Sequence, residues 1–452
     1  MAERGALSCG VHERRGDGRA GLPRRQYRAM ELRFYYDVVC PYAYLASTRV
    51  EQLAARCGAT LRWRPILLGG LFREHNAAQN PGAEMNAARA RLNILDMHRW
   101  ASLWGVPLTM PASHPRRTVS AMRSLVAAPE ELRPALSRAL FRAYWVDGVD
   151  ISDRQELDAL ARAHGLDPQR IDSDEARAGL YATTSEAARA GAFGVPSFVV
   201  ARGDGSTTLF WGQDRMHLVE RALGRAEARS QLEPAASFPR RHADVRLRFF
   251  HDFASPFSYL AQAAVGELAA AHGVTVEWAP ILLGGLFRAI GTANVPLHTF
   301  HAVKQAYVRR DMQDWAALRG VPLRFPSRFP IRTVLPLRVA LAEPAVTPHI
   351  YRAIWADDRP VDTPEALGPL LAERGFDARA LLERAQTPAI KQALRRNTEE
   401  AQAAGACGVP TLEVTSPGRP PALFWGQDRL EMAFAAVRGW RADVDLEASS
   451  SV

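Results

Sequence analysis

Cys40 and Ser255 occupy the same local setting, each directly before a proline that opens an aromatic-rich run, CPYAYLA and SPFSYLA. Proline suits the first position of a helix, so both residues precede a helix start. Unpaired backbone N–H groups and the positive end of the helix dipole favour an anion there. A hydroxyl at that point can help hold an anion, or it is a plain helix cap. A thiol there gains thiolate character, or it packs as a small apolar side chain. A redox pair is disfavoured, because Ala43 stands where a CxxC partner would be.

Three further constellations carry chemistry. Gly194-Val195-Pro196 and Gly408-Val409-Pro410 each precede a strand-like run. A cis X–Pro bond at either place would aim the valine N–H and C=O at a peptide-like ligand, although GVP is also a common turn signal. The block FWGQDR occurs at 210–215 and 424–429. It is a glycine turn before a helix, or a grip for a charged ligand end through Gln213, Asp214, Gln427 and Asp428. Lys304 is one of only two lysines against 55 arginines. Its retention points to a specific anion contact, and Arg89 is its counterpart. No HExxH, CxxC…CxxC, GxxxxGKS or GxGxxG pattern is present, so neither a metal nor a nucleotide is expected.

The elements that must position these residues are written twice. WRPILLGGLFR at 63–73 returns as WAPILLGGLFR at 278–288, and WASLWGVPL at 100–108 as WAALRGVPL at 315–323. Copy-to-copy spacings run from 210 (Trp145 to Trp355) to 215 (Cys40 to Ser255), the slippage expected where surface loops differ. In each copy LRFYYDV or LRFFHDF reads as a first strand and TLRWRPI or TVEWAPI as a second. A long helix follows, marked by Ile94, Met97, Trp100 and Trp104, and by Val308, Met312, Trp315 and Leu318. Ser152 with Gln155, and Thr363 before Pro364, mark later helix starts. A Pro-led hairpin and a last helix opening at QDR complete a thioredoxin-like α/β layout, with ligands expected at the strand ends.

The domains are therefore read as 30–223 and 245–441, with a disordered extension at 1–29, a linker at 224–244 and a tail at 442–452. The linker length lets the halves pack as an internal pseudo-dimer. Hydrophobic content of 47% and charged content of 23% describe a globular chain, and no apolar run reaches the roughly 20 residues that span a bilayer. The net charge of +9 is spread through the helices, which argues against nucleic acid. Four scattered cysteines (Cys9, Cys40, Cys57, Cys407) suggest a reducing, cytoplasmic setting.

DFASPFSYLA, PILLGGLFRAIGTANVP, AVKQAYVRRD, NTEEAQAAGACGVPT and LFWGQDRL together resemble 2-hydroxychromene-2-carboxylate isomerases. That family sits with kappa-class glutathione transferases in the DsbA-like branch of thioredoxin folds, and the likeness spans about 195 residues twice. The resemblance implies glutathione as cofactor or cosubstrate. It implies that Ser255 holds the glutathione thiolate and that Val409, before Pro410, pairs with the tripeptide backbone. Gln427 and Asp428 would hold the glutamyl end, with Lys304 and Asn294 on the other carboxylate. First-half counterparts are Cys40, Val195 before Pro196, Gln213, Asp214 and Arg89, with Asn80 or Gln79 replacing the asparagine.

The expected activity is that of a glutathione-dependent isomerase or transferase acting on a small aromatic or conjugated organic acid, in aromatic-compound catabolism. Catalysis would borrow glutathione's sulfur as nucleophile. A monothiol thiol-disulfide oxidoreductase running on Cys40, and a first half that serves only as a packing partner, are the competing expectations.

Overall fold

The computed structural model describes residues 30–79, 82–232, 237–238 and 243–441. The expectations for 1–29 and 442–452, and for Asn80, fall outside these residues. Each half holds one four-stranded mixed sheet. In the first, β1 (Glu31–Tyr36) pairs parallel with β2 (Thr60–Pro65) and antiparallel with β3 (Ser197–Ala201), which pairs antiparallel with β4 (Thr207–Trp211). The second repeats this order with β5 (Arg246–His251), β6 (Val276–Pro280), β7 (Thr411–Thr415) and β8 (Ala422–Trp425). Between the second and third strands of each sheet lies the helical insertion, 68–189 in the first half and 283–404 in the second.

Alternating aromatic residues bury the sheets from one face. Phe34 stacks on Tyr36 and Phe198, with Trp63 edge-on at 5.2 Å, and Phe249, His251 and Trp278 repeat the pattern. Trp145 and Trp355 tie the insertions to the site loops by donating to the carbonyls of Val38 (2.8 Å) and Phe253 (2.9 Å).

The helix after the first strand differs between halves for a local reason. Pro256–Ala271 is continuous, whereas the first-half equivalent breaks into Pro41–Ser47 and Val50–Arg56. Ser47 and Thr48 donate their hydroxyls back to the carbonyls of Tyr44 and Leu45, at 2.6 and 2.7 Å. Such back-bonding competes with the helix, and Gln262 and Ala263, at the matching positions of the second half, carry no hydroxyl to compete. One helix start moves as well. Asp153, not Ser152, caps Arg154–Ala163 by accepting from the N–H groups of Gln155 and Glu156, while Ser152 donates to Asp150. Thr363 caps Pro364–Glu373 as expected.

The two long helices cross between halves. Helix Ala302–Arg319 covers β4: Tyr307 Oη accepts from Trp211 N–H at 2.9 Å and Arg310 donates to the Leu209 carbonyl. Helix Ala87–Trp104 covers β8, where Arg99 donates to the Leu423 carbonyl at 2.6 Å. Each half thus covers the other's sheet edge, satisfying carbonyls that an edge strand leaves open. The described part of the linker touches both halves, through Trp104 to the Gln231 carbonyl and Arg229 to the Leu318 carbonyl. No helix among the described residues is long and apolar enough to cross a membrane.

Candidate active site

Ser255 is the N-cap of Pro256–Ala271, and its Oγ accepts from Ser258 N–H at 3.2 Å. The same hydroxyl donates to the Val409 carbonyl at 3.1 Å. Cys40 occupies the matching N-cap and donates its thiol to the Val195 carbonyl at 3.2 Å, but it makes no capping bond. Both are buried, with 4% of Ser255 and 8% of Cys40 exposed. Burial pushes the Cys40 thiol up to about 12, outweighing the N–H groups of Ala43 and Tyr42 that favour the thiolate. The expectation of a lowered thiol pKa is therefore corrected: desolvation wins over the helix end. That finding also weighs against Cys40 as the engine of thiol-disulfide chemistry.

Both valine–proline bonds, Val195-Pro196 and Val409-Pro410, are cis. The preceding glycines are required by packing. A Cβ on Gly194 would lie 2.7 Å from Trp211 Nε1, and one on Gly408 2.9 Å from Trp425 Nε1. The tryptophan of FWGQDR therefore closes over the glycine of GVP. The glycine of FWGQDR is fixed in turn by positive φ, 106° at Gly212 and 115° at Gly426, where an added Cβ would meet the aspartate two residues on at 2.5 Å.

Those aspartates join a buried ion lattice between the halves. Arg215 pairs with Asp428 (2.7 Å), Asp311 (2.9 Å) and Asp214 (3.0 Å). Arg429 reciprocates with Asp96 (2.6 Å), Asp214 (2.9 Å) and Asp428 (3.2 Å). Burial alone would raise Asp428; Arg429 and Arg215 outweigh it and hold its carboxyl at about 2. At Asp96 and Asp311 burial prevails over the arginines and the carboxyls rise. Gln427 accepts from Arg319 at 3.0 Å through Oε1, and its buried Nε2 has no hydrogen-bond partner among the described residues.

The cations lie across the halves from where chain order groups them. Lys304 Nζ sits 5.6 Å from the Trp211 ring and 5.9 Å from Phe193, both first-half residues, and 4.1 Å from Phe300. Arg89 lies over Trp425 of the second half at 5.8 Å. Burial, then the charge of Arg89, lowers Lys304 to about 8. Asn294 stays with its own half, its Oδ1 3.1 Å from a Cβ built on Gly284. Gln79 is the first-half equivalent, its Oε1 3.3 Å from a Cβ on Gly69.

Sequence reasoning passed over Asp37 and Asp252, three residues before Cys40 and Ser255. Asp252 accepts from the N–H groups of Ala254 (2.9 Å) and Leu283 (2.8 Å), and Asp37 from Val39 (3.2 Å) and Leu68 (2.9 Å). Each ties the site loop to the LLGG segment, and its recurrence at one spacing was the available signal. One cleft of about 2550 Å³ joins the halves, lined by Cys40, Ser255, both cis-bond valines, both Gln-Asp pairs, Asn294, Lys304 and Arg89. Pro410 is not part of its wall, whereas Pro196 is. Among the described residues no cluster of three His, Cys, Asp or Glu could hold a metal.

Residues 31–224 and again 246–437 match the DSBA-like thioredoxin domain family. The chain belongs to that family, as two tandem copies. It is 32% identical over 199 residues to a 2-hydroxychromene-2-carboxylate isomerase of Pseudomonas putida, covering 42% of this chain and 93% of that one. It is 31% identical over 200 residues to glutathione S-transferase kappa 1 of Caenorhabditis elegans, covering 41% and 87%. A solved 2-hydroxychromene-2-carboxylate isomerase aligns at 28% identity, covering 42% of this chain and 93% of the other, with a TM-score of 0.37. Relatives of this DSBA-like protein are thus isomerases and glutathione transferases.

Proposed function

We propose that this DSBA-like protein is a glutathione-dependent isomerase of the 2-hydroxychromene-2-carboxylate type, or a kappa-like transferase, acting on an aromatic or conjugated organic acid. The second half is its working site. The observation that carries this is Ser255 Oγ, a helix cap placed against the Val409 carbonyl in a shared cleft.

The residues present suit the tripeptide. The partnerless Gln427 Nε2 is a donor for a carboxylate, and four carboxylates against two guanidiniums in the ion lattice suit an ammonium. Bound glutathione would supply the nucleophilic sulfur. The rest is the work of the chain. Ser258 N–H polarises the Ser255 hydroxyl, and rotation about the Cβ–Oγ bond frees its single proton from the Val409 carbonyl for an incoming anion. That rotation also releases the carbonyl for an amide donor. Lys304 and Asn294 supply a cation and an amide for a second carboxylate.

We also infer that the two halves act as an internal pseudo-dimer, supported by the reciprocal Arg215 and Arg429 contacts. The free thiols of Cys40, Cys57 and Cys407 favour a reducing, cytoplasmic compartment.

Calorimetric titration of the full chain with glutathione tests the reading, together with Ser255→Ala. Turnover of chromene-carboxylates should fall about 100-fold on losing the donor. Absence of glutathione binding, with unchanged activity in the variant, would sink it.

A further inference from the structure

Among the described residues Arg338 is a cation without a counterion. It lines the cleft, makes no ion pair among the described residues, and its Nε is buried with no hydrogen-bond partner. Its first-half equivalent shows what is missing. Arg123 contributes to holding down Asp172, whose main partner is Arg154, and Arg123 does not line the cleft. Asp172 directly precedes the helix cap Ser173, and Thr387 is the matching cap in the second half. The residue before Thr387 is Gln386, so the acid has no equivalent there.

The cleft that Arg338 lines also presents flat apolar and aromatic side chains from the same half. Val334 stands four residues earlier on helix Val334–Ala342, so both side chains share a face, and 37% of Val334 is exposed in the cleft wall. Phe325 and Phe329 add two rings with centroids 4.9 Å apart, and both line the cleft. The first half has Met110 and His114 at those places. The helix start is tied to the candidate site, because the Thr333 hydroxyl bonds to Asp252, whose carboxylate holds the Ser255 loop. Asp362 is also on the wall, outside ion-pair distance of Arg338.

We propose that Arg338 is the carboxylate receptor of an acceptor subsite in the second half, which takes planar aromatic acids with the ring against Phe325, Phe329 and Val334. This rests on the reading of the chain as an enzyme of conjugated organic acids, and it names the residue that selects the acid. A guanidinium in an apolar wall binds a carboxylate through paired N–H donors and rejects a neutral isostere that cannot use its charge.

Direct binding to the full chain tests this without glutathione, by fluorescence titration with 2-naphthoate and with 2-naphthamide. Arg338→Gln should weaken naphthoate by about tenfold or more while leaving the amide unchanged, and Arg338→Lys should restore part of the loss. Phe329→Ala should weaken both ligands together, and Arg123→Gln neither. Equal naphthoate affinity in Arg338→Gln and the parent chain overturns the assignment. Parallel loss of acid and amide in Arg338→Gln, or a parent chain that does not prefer the acid, does so too. Failure of the parent chain to bind glutathione would overturn the proposed enzyme class and leave these outcomes readable.

Discussion

The two halves share a scaffold and diverge where a small molecule would lie. Sheet order, cis valine–proline bonds, the tryptophan over the glycine and the aspartate beneath the site loop are common to both. Ser255 caps a continuous helix, whereas Cys40 leaves its cap unmade above a broken one. Across the cleft, Phe325, Phe329 and Ile331 stand where the first half has Met110, His114 and Arg116. The positions that build the domain and hold the halves together are common to both copies, while several that line the cleft differ between them.

The ion lattice is the place to break that comparison hardest. Arg215→Ala leaves Asp311 and Asp428 without their shared guanidinium in a buried setting. A loss of about 3–5 kcal/mol in urea unfolding is expected, because an uncompensated buried charge remains. Arg429→Ala should match it if the interface is symmetric. Unequal losses would show that one half leans on the other. Arg379→Ala, at an exposed ion pair, should change nothing measurable.

Cys40 offers a second, smaller contrast. With its thiol at about 12, its thiolate is scarce at pH 8, and greater intrinsic nucleophilicity only partly compensates. Alkylation by iodoacetamide, followed by mass spectrometry, should run about fiftyfold slower than at an ordinary exposed thiol and rise with pH past 10 without a plateau. A plateau near neutral pH would mean that Cys40 is a working thiolate and that the first half is an active site in its own right.

Much of this was legible in the chain because duplication prints each structural requirement twice. The strands, the proline-led helix starts and the GVP–FWGQDR pairing follow from local rules of pattern and capping. Asp153 displaced Ser152 as a cap: its Oδ1 accepts from both Gln155 and Glu156 N–H, while the Ser152 hydroxyl is taken up by Asp150, a difference the spacing alone does not rank. The crossing of Lys304 and Arg89 was not legible. Repeats establish which residues are equivalent, not which copy a side chain faces, and that depends on how the long helices cover the opposite edge strands. Asp96 and Asp311 escaped for the same reason, since their partners lie in the other half.

Lys304 gives the finest probe of that crossing. Its ammonium is held near pH 8 first by burial and second by Arg89, against an ordinary value of 10.5. Below about pH 8 both folded and unfolded chains carry the proton, and the cost of burying the charge is present in full. Between about 8 and 10.5 the folded chain has released a proton that the unfolded chain still holds, so stability rises with pH through that window. Urea midpoints should show a gain on the order of 1–3 kcal/mol there relative to Lys304→Met. Removing the second cause with Arg89→Ala should move the onset to higher pH and shrink the gain. If Arg89→Ala leaves the profile of Lys304 untouched, the two cations do not sense each other, and the two halves keep separate sites within one cleft.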